Sequence, residues 1–400
     1  MRNGTPGFRG GRLAQVREAR GLTQVALAEL IRRSSSSVSR WEKDEQSPEP
    51  PALAGLAVEL EVPVAFFLRP LGDANSAPAF FHSMAATTQS LHRRTRARLR
   101  WAQEIALSLQ KWVDLPRVNV PFLSGVTDYR EVRQRDIETM ANECRVLWEL
   151  GEGPITNVLL VLENAGVVVV KEEVGSVRLE GLSDWSAADG RPYVLIARDW
   201  DTCVRCRMQA AHALGHLVLH RGVDPKTMYN IADFREIESQ ASDFAAAFLM
   251  PAESFAAEVS TPSLNTFLAL KERWRTPIAA MIRRAARLHS LSEEYERRLW
   301  KHYSSKGWRK IEPLDEQLDG ENPRLLARSV QLLVDEKVRD RRALLSDFRL
   351  HGPDVESLCG LQPGYMSADL AEAETLPRLK RGERLVEDSG SRSTRITPVL

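Results

Sequence analysis

The 400-residue chain is 43% apolar and 27% charged, which is enough for two or three packed domains with cores of ordinary size. A net charge of +1 excludes a uniformly basic coat for nucleic acid and leaves only a local basic surface to look for. Cysteines 144, 203, 206 and 359 are too few and too scattered for a disulfide framework, and the start MRNGTPGFRGGR has no apolar signal core. No apolar run reaches the roughly 18 residues of a membrane span, so a cytoplasmic location without membrane insertion is expected.

In chain order, residues 10–68 alternate short helical patterns with tight breaks and end in Pro-rich stretches, predicting a small all-helical domain over 1–70. Residues 72–86 turn to Gly, Ala, Ser and Asn, and a single long helix ending before Pro116 follows; together they predict a linker and connecting helix over 71–121. The arginines at 93, 94, 96, 98 and 100 of that helix are read as a solvated face. Residues 122–290 mix helices with strand-like runs at GVVVVKE and RPYVLIA, predicting an α+β domain with a small sheet. Residues 291–378 return to helical periodicity, with Leu325, Leu326, Val330, Leu332 and Leu333 spaced for an ordinary core. The polar tail 379–400 reads as disordered. The fold class expected is mainly α with one α+β domain.

The segment GLTQVALAELIRRSSSSVSRWEKDEQSP places two short helices across a gap too short for anything but a helix-turn-helix corner. Thr23 and Ser34 suit the two N-caps. Leu27, Ala28, Val38 and Trp41 are spaced to face a core, while Ser35, Ser36, Ser39 and Arg40 point outward, the layout of a recognition helix in a major groove. Arg40 is the candidate reader of guanine and Gln24 the candidate phosphate contact that sets register. The run resembles the Cro/phage-repressor (XRE) family through Gln24, Leu27, Ala28, Val38, Ser39, Trp41, Glu42 and Pro48. That resemblance implies double-stranded DNA as a partner and a homodimer on a palindromic site.

In RCRMQAAHALGHLVLH, His212 and His216 lie four residues apart on a predicted helix, about 40° from alignment, so both imidazoles can share one metal. The following helix, EIESQASDFAAAFLMP, brings Glu238 as a third ligand, with Glu236 as a fallback. The segments LEGLSDW, RPYVLIA, AAHALGHLVLH and ExxxxDFAAAFLMP resemble, in that order, the ImmA/IrrE-type metallopeptidases of the zincin group over about residues 154–282. The resemblance implies zinc held by His212, His216 and Glu238. It also implies a general-base Glu directly after the first histidine, where this chain has Ala213. Loss of a positioned general base costs about 10² to 10⁴ in rate, so metal binding is expected and peptidase activity is not. Ala213 is either the natural residue of a pseudoenzyme or a deliberate change.

His220 continues the i, i+4 spacing but has drifted about 80° from His212, and it is read as a helix-end histidine. Cys203 and Cys206 are read as buried thiols, and Trp185, Trp200, Phe244 and Phe248 as core. Tyr193 and Tyr229 either line a cleft or pack. The order of parts resembles repressors and antitoxins, implying a DNA-binding regulator with a sensor domain and a possible partner or toxin protein. The alternative is a site-specific zinc endopeptidase acting on a repressor or partner, and a purely structural zinc is the blandest option.

Overall fold

The computed structural model describes residues 4–71, 80–83, 89–176, 179–199, 202–224, 227–228 and 230–367. Trp200, Tyr229 and the tail 379–400 lie outside these residues.

The N-terminal unit comprises α1 (Gly10–Ala19), α2 (Gln24–Leu30), α3 (Ser35–Glu42), α4 (Pro50–Glu59) and α5 (Val64–Phe67). Thr23 accepts from the Ala26 N–H at 3.1 Å and Ser34 from the Ser37 N–H at 3.2 Å, so both expected caps form. Leu27, Ala28, Val38 and Trp41 are buried, which fixes the two helices across their corner.

A short strand, β1 (Phe80–Ser83), precedes α6 (Gln89–Leu109). Next come α7 (Gln134–Leu147), α8 (Val158–Asn164), β2 (Val168–Glu172), β3 (Leu179–Trp185) and β4 (Pro192–Ala197). His212 and His216 lie on α9 (Cys203–Leu219), followed by α10 (Ile231–Leu249), α11 (Ala252–Glu258), α12 (Leu264–Trp274) and α13 (Ile278–Arg287). The described chain ends in α14 (Glu293–Ser305), α15 (Leu325–Asp335), α16 (Arg341–Phe348) and α17 (Gly352–Cys359).

The strands form one sheet in the order β1-β3-β4-β2. β2 and β4 are parallel, and β3 runs antiparallel to both of its neighbours. Covered on both faces, β4 is apolar at every position and β2 opens on the apolar run at 168–170 before the buried Lys171 and Glu172, whereas a half-exposed strand would alternate. Successive side chains still take opposite faces: Val168, Val170, Tyr193 and Leu195 join the core around α6, and Val169, Val194 and Ile196 join the core around α9.

The arginines of α6 meet the expectation of a solvated face only in part: Arg93 and Arg96 are exposed, and Arg94 and Arg100 are half-buried. Arg98 is buried, paired with Glu172 of β2 and with Asp354 of α17, and Arg94 donates to the Val174 carbonyl at 3.2 Å. Their helix lies between the N-terminal unit, the sheet and α15 to α17, and a solvated face exists only where none of these covers it. In α15, Leu326, Val330 and Leu333 are buried but Leu332 is 50% exposed, so the expected apolar stripe is narrower by that residue.

Acidic residues fasten the C-terminal segment to the α9 domain by accepting from backbone N–H groups that begin helices. Glu321 accepts from Val158 and Leu159 at the start of α8 and pairs with buried Arg207 of α9. Glu312 accepts from Ile278 and Ala279 and, with Asp315, holds the buried Lys271 ammonium. Among the described residues no helix is long and apolar enough to cross a membrane.

Candidate metal centre and nucleic-acid interface

α9 opens on a Thr202 cap and packs beneath the sheet, buried all round over residues 213–219. Gly215 lets α10 come close. A Cβ there would stand 3.0 Å from the Ala241 carbonyl oxygen and 3.2 Å from the Phe244 Cβ. That close approach brings Glu238, about one turn before Ala241, up to the two histidines. His216 Nε2 lies 3.0 Å from His212 Nε2 and 3.1 Å from Glu238 Oε1, and His212 Nε2 lies 3.5 Å from Glu238 Oε2. The ligating atoms of the three residues lie within 4.8 Å of one another. Glu236 is exposed, on the far side of α10 from the histidines.

The hydrogen bonds around His216 fix its tautomer. Gln240 uses its amide N–H on the Tyr129 carbonyl at 2.9 Å, so its Oε1 accepts from His220 Nε2, also at 2.9 Å. His220 Nδ1 is therefore an acceptor, His216 Nδ1 donates to it at 3.0 Å, and His216 Nε2 is left as an acceptor facing Glu238. Glu238 Oε1 is itself buried without a hydrogen-bond donor. Burial pushes the His216 imidazolium well below its ordinary range, and His212 and His220 push it further the same way. His212 Nε2, 3.0 Å from His216 Nε2, can donate to it, but Glu238 Oε1 keeps no hydrogen-bond partner; a divalent cation would satisfy all three residues, and the two-imidazole, one-carboxylate donor set suits zinc. Ser242 Oγ lies 3.2 Å from His212 Nδ1 and orients that ring.

His220 is the residue that sequence reasoning undervalues. It closes α9 as a helix-end histidine should, yet it is fully buried and holds the ring of a candidate ligand. Its one signal in the sequence is the repeated i, i+4 spacing. Ala213 is fully buried among the apolar residues packed around α9. A cleft of about 330 Å³ opens beside His212 and Glu238, lined by Glu180 of β3, Arg205 and Gln209 of α9, and Trp308, Arg309 and Lys310 from the C-terminal segment. Cys203 and Cys206 are buried free thiols. Trp185, Phe244 and Phe248 are core, and Tyr193 packs fully buried with its hydroxyl donating to Asp189 at 2.8 Å.

In the N-terminal unit Ser35, Ser36 and Arg40 are exposed on α3, and Ser39 is half-buried. Gln24 is also half-buried and donates to Glu42 at 2.6 Å; Glu42 in turn accepts from Arg17. Arg33 and Lys43, exposed at the two ends of α3, are basic positions that the motif pattern does not select.

Residues 10–65 match the family model described as a helix-turn-helix domain, and residues 162–286 match the one described as an IrrE N-terminal-like domain. The chain is therefore a helix-turn-helix domain fused to an ImmA/IrrE-type domain. No curated protein matches it.

Proposed function

We propose that this fusion is a sequence-specific DNA-binding transcriptional regulator whose ImmA/IrrE-type domain binds zinc through His212, His216 and Glu238 and has no peptidase activity. The observation that carries the reading is the convergence of His212, His216 and Glu238, with ligating atoms within 4.8 Å of one another and the buried Glu238 Oε1 left without a hydrogen-bond partner 3.1 Å from His216 Nε2. A zinc ion there would supply Lewis acidity. The residue that would move protons in a peptidase of this kind is replaced by Ala213, whose methyl group packs in the core. His220 and Gln240 hold His216, Ser242 holds His212, and none of these offers a base at position 213.

At the other end of the chain, Ser35, Ser36 and Arg40 of α3 are disposed to meet base edges, with Ser39 and Gln24 nearer the protein. A homodimer would present two such helices to a palindromic operator, and a partner or toxin protein would act through the ImmA/IrrE-type domain.

Elemental analysis of the purified chain tests the metal assignment. One zinc per chain, lost in both His212→Ala and Glu238→Ala, is the expected result, and a zinc-free parent would overturn it. Comparison of the parent with Ala213→Glu separates regulator from endopeptidase. A regulator leaves every candidate partner intact unless the glutamate is supplied, and cleavage by the parent itself would refute that role.

A further inference from the structure

An unpaired strand edge presents a row of N–H and C=O groups to any extended segment that can reach it. The sheet edge that faces the metal helix, the outer edge of β3, is already filled. Residues 80–83, which follow the helix-turn-helix unit in the chain, pair with it antiparallel: Phe80 opposite Ser183, Phe81 opposite Leu182 and His82 opposite Gly181. The register slips after His82, and Ser83 faces Leu179. A four-residue pairing with a slip in it is shorter and less regular than a typical strand of about 5–6 residues.

A side chain anchors this strand. The Phe80 ring lies flat on His216, with centroids 5.0 Å apart and planes 11° apart, and it lies tilted on His220 at 5.8 Å. Tyr129, Val223 and Ile237 complete the seat, and Phe80 is 3% exposed. At the other end, Ser83 pairs beside Glu180, which lines the cleft shared by His212 and Glu238. The strand therefore runs along α9 from the helix-end histidine to the mouth of the cleft. Any extended peptide docking along this edge needs the same backbone groups and the same aromatic seat, so it excludes residues 80–83 and is excluded by them.

We propose that residues 80–83 are an intramolecular strap. They occupy, as a resident peptide, a docking edge for an extended segment that carries an aromatic side chain, and the edge opens to such a segment from another protein only when the strap is withdrawn. The Phe80 seat includes the ring of the candidate ligand His216, but neither that stacking nor the backbone pairing requires a bound ion or DNA, so a zinc-free chain would leave the strap intact.

The test uses the full chain, the variants His82→Pro and Phe80→Ala, and a fluorescent synthetic peptide with the sequence of residues 78–85. Hydrogen exchange at residues 179–183 and fluorescence anisotropy are the readouts. In the parent, those amides are expected to be protected and the peptide not to bind. In His82→Pro, protection at 179–183 should fall by about tenfold or more while α9 and α10 keep theirs, and the added peptide should bind and restore protection. A peptide with alanine in place of its first phenylalanine should bind about tenfold more weakly. Unchanged exchange at β3, a freed edge that takes no peptide, or a parent that binds the peptide as tightly as the variant would each overturn the proposal. If His82→Pro loses protection throughout α9, Phe80→Ala decides: it keeps the backbone, and it must admit the peptide where the parent does not.

Discussion

Single hydrogen bonds set the geometry of the candidate metal centre. His216 presents Nε2 because His220 takes the proton of Nδ1, and His220 can do so because Gln240 accepts at its other nitrogen. Replacing His220 by Ala removes the acceptor and frees the ring to turn, so zinc affinity should drop about 10- to 100-fold with the three ligands untouched. Competition with a chromogenic chelator measures this, and an affinity equal to the parent's would mean that packing alone orients His216. A second residue predicts pH dependence. Asp184 of β3 is buried, its Oδ1 has no hydrogen-bond partner, and burial pushes its carboxyl up to about 6 against the weaker pull of Gln103, Arg96 and Arg100. The folded state thus holds this proton more tightly than the unfolded chain does. The charged carboxylate costs stability above about pH 6, and the cost fades as pH falls toward the unfolded value near 4. Asp184→Asn should therefore stabilise the protein at pH 7.5 by up to about 3 kcal/mol and by almost nothing at pH 4. Urea denaturation at both values decides it, and a pH-independent difference would contradict the assignment.

Among the elements, the pair α9 and α10 does the most for the site, and its spacing depends on Gly215. A methyl group there meets backbone atoms of Ala241 at 3.0 and 3.1 Å, and these give way only if the helix moves. Gly215→Ala should cost about 1–3 kcal/mol by overpacking and should also weaken zinc binding, because a displaced α10 carries Glu238 away from His216. Thermal unfolding and zinc titration read the two effects separately, and a loss of stability with full zinc affinity would show that α10 yields elsewhere. The sequence makes this pair legible because motif spacing and helix period agree at His212, His216 and Glu238. It makes β2 and β4 legible because strands covered on both faces are written as continuous apolar runs. LEGLSDW, with charges at Glu180 and Asp184, carries no such run, and β3 is stabilised by its neighbours on both sides. The Gly- and Ala-rich approach to Phe80 gives no local sign that residues 80–83 pair at all. The burial of Arg98 is hidden for a related reason: the carboxylates that pair with it, Glu172 and Asp354, are far away in sequence, and no window along α6 contains them.

Across the whole molecule, a largely buried ion network joins the helix-turn-helix unit to the sheet. Arg20 of α1 reaches Asp354 of α17 at 2.7 and 2.9 Å and also donates to the Leu60 carbonyl at 3.0 Å. Asp354 also accepts from Arg98, which holds Glu172 of β2 at 2.8 and 3.0 Å, and Ser357 of α17 donates to the same Glu172 at 2.7 Å. Both arginines lie over the Trp101 ring, at 5.4 and 5.1 Å. Desolvation by itself would raise the Asp354 carboxyl, but Arg20 and Arg98 outweigh it and hold the group below its ordinary range. Its contribution is therefore present at neutral pH and is lost only as pH falls below about 4. Asp354→Ala leaves Arg98 with one carboxylate and should cost about 3 kcal/mol at pH 7. The larger consequence concerns coupling. If zinc state is to alter DNA affinity, a route from α9 through the sheet to α1 is needed; α6 packs directly on α1, and these charges tie β2 and α6 to α17 and α17 to α1. Removing zinc from the parent should change its affinity for an operator by about 5- to 150-fold. In Asp354→Ala, which touches neither the metal ligands nor α3, the ratio should shrink toward one. Equal responses in the two proteins would place the coupling outside this network.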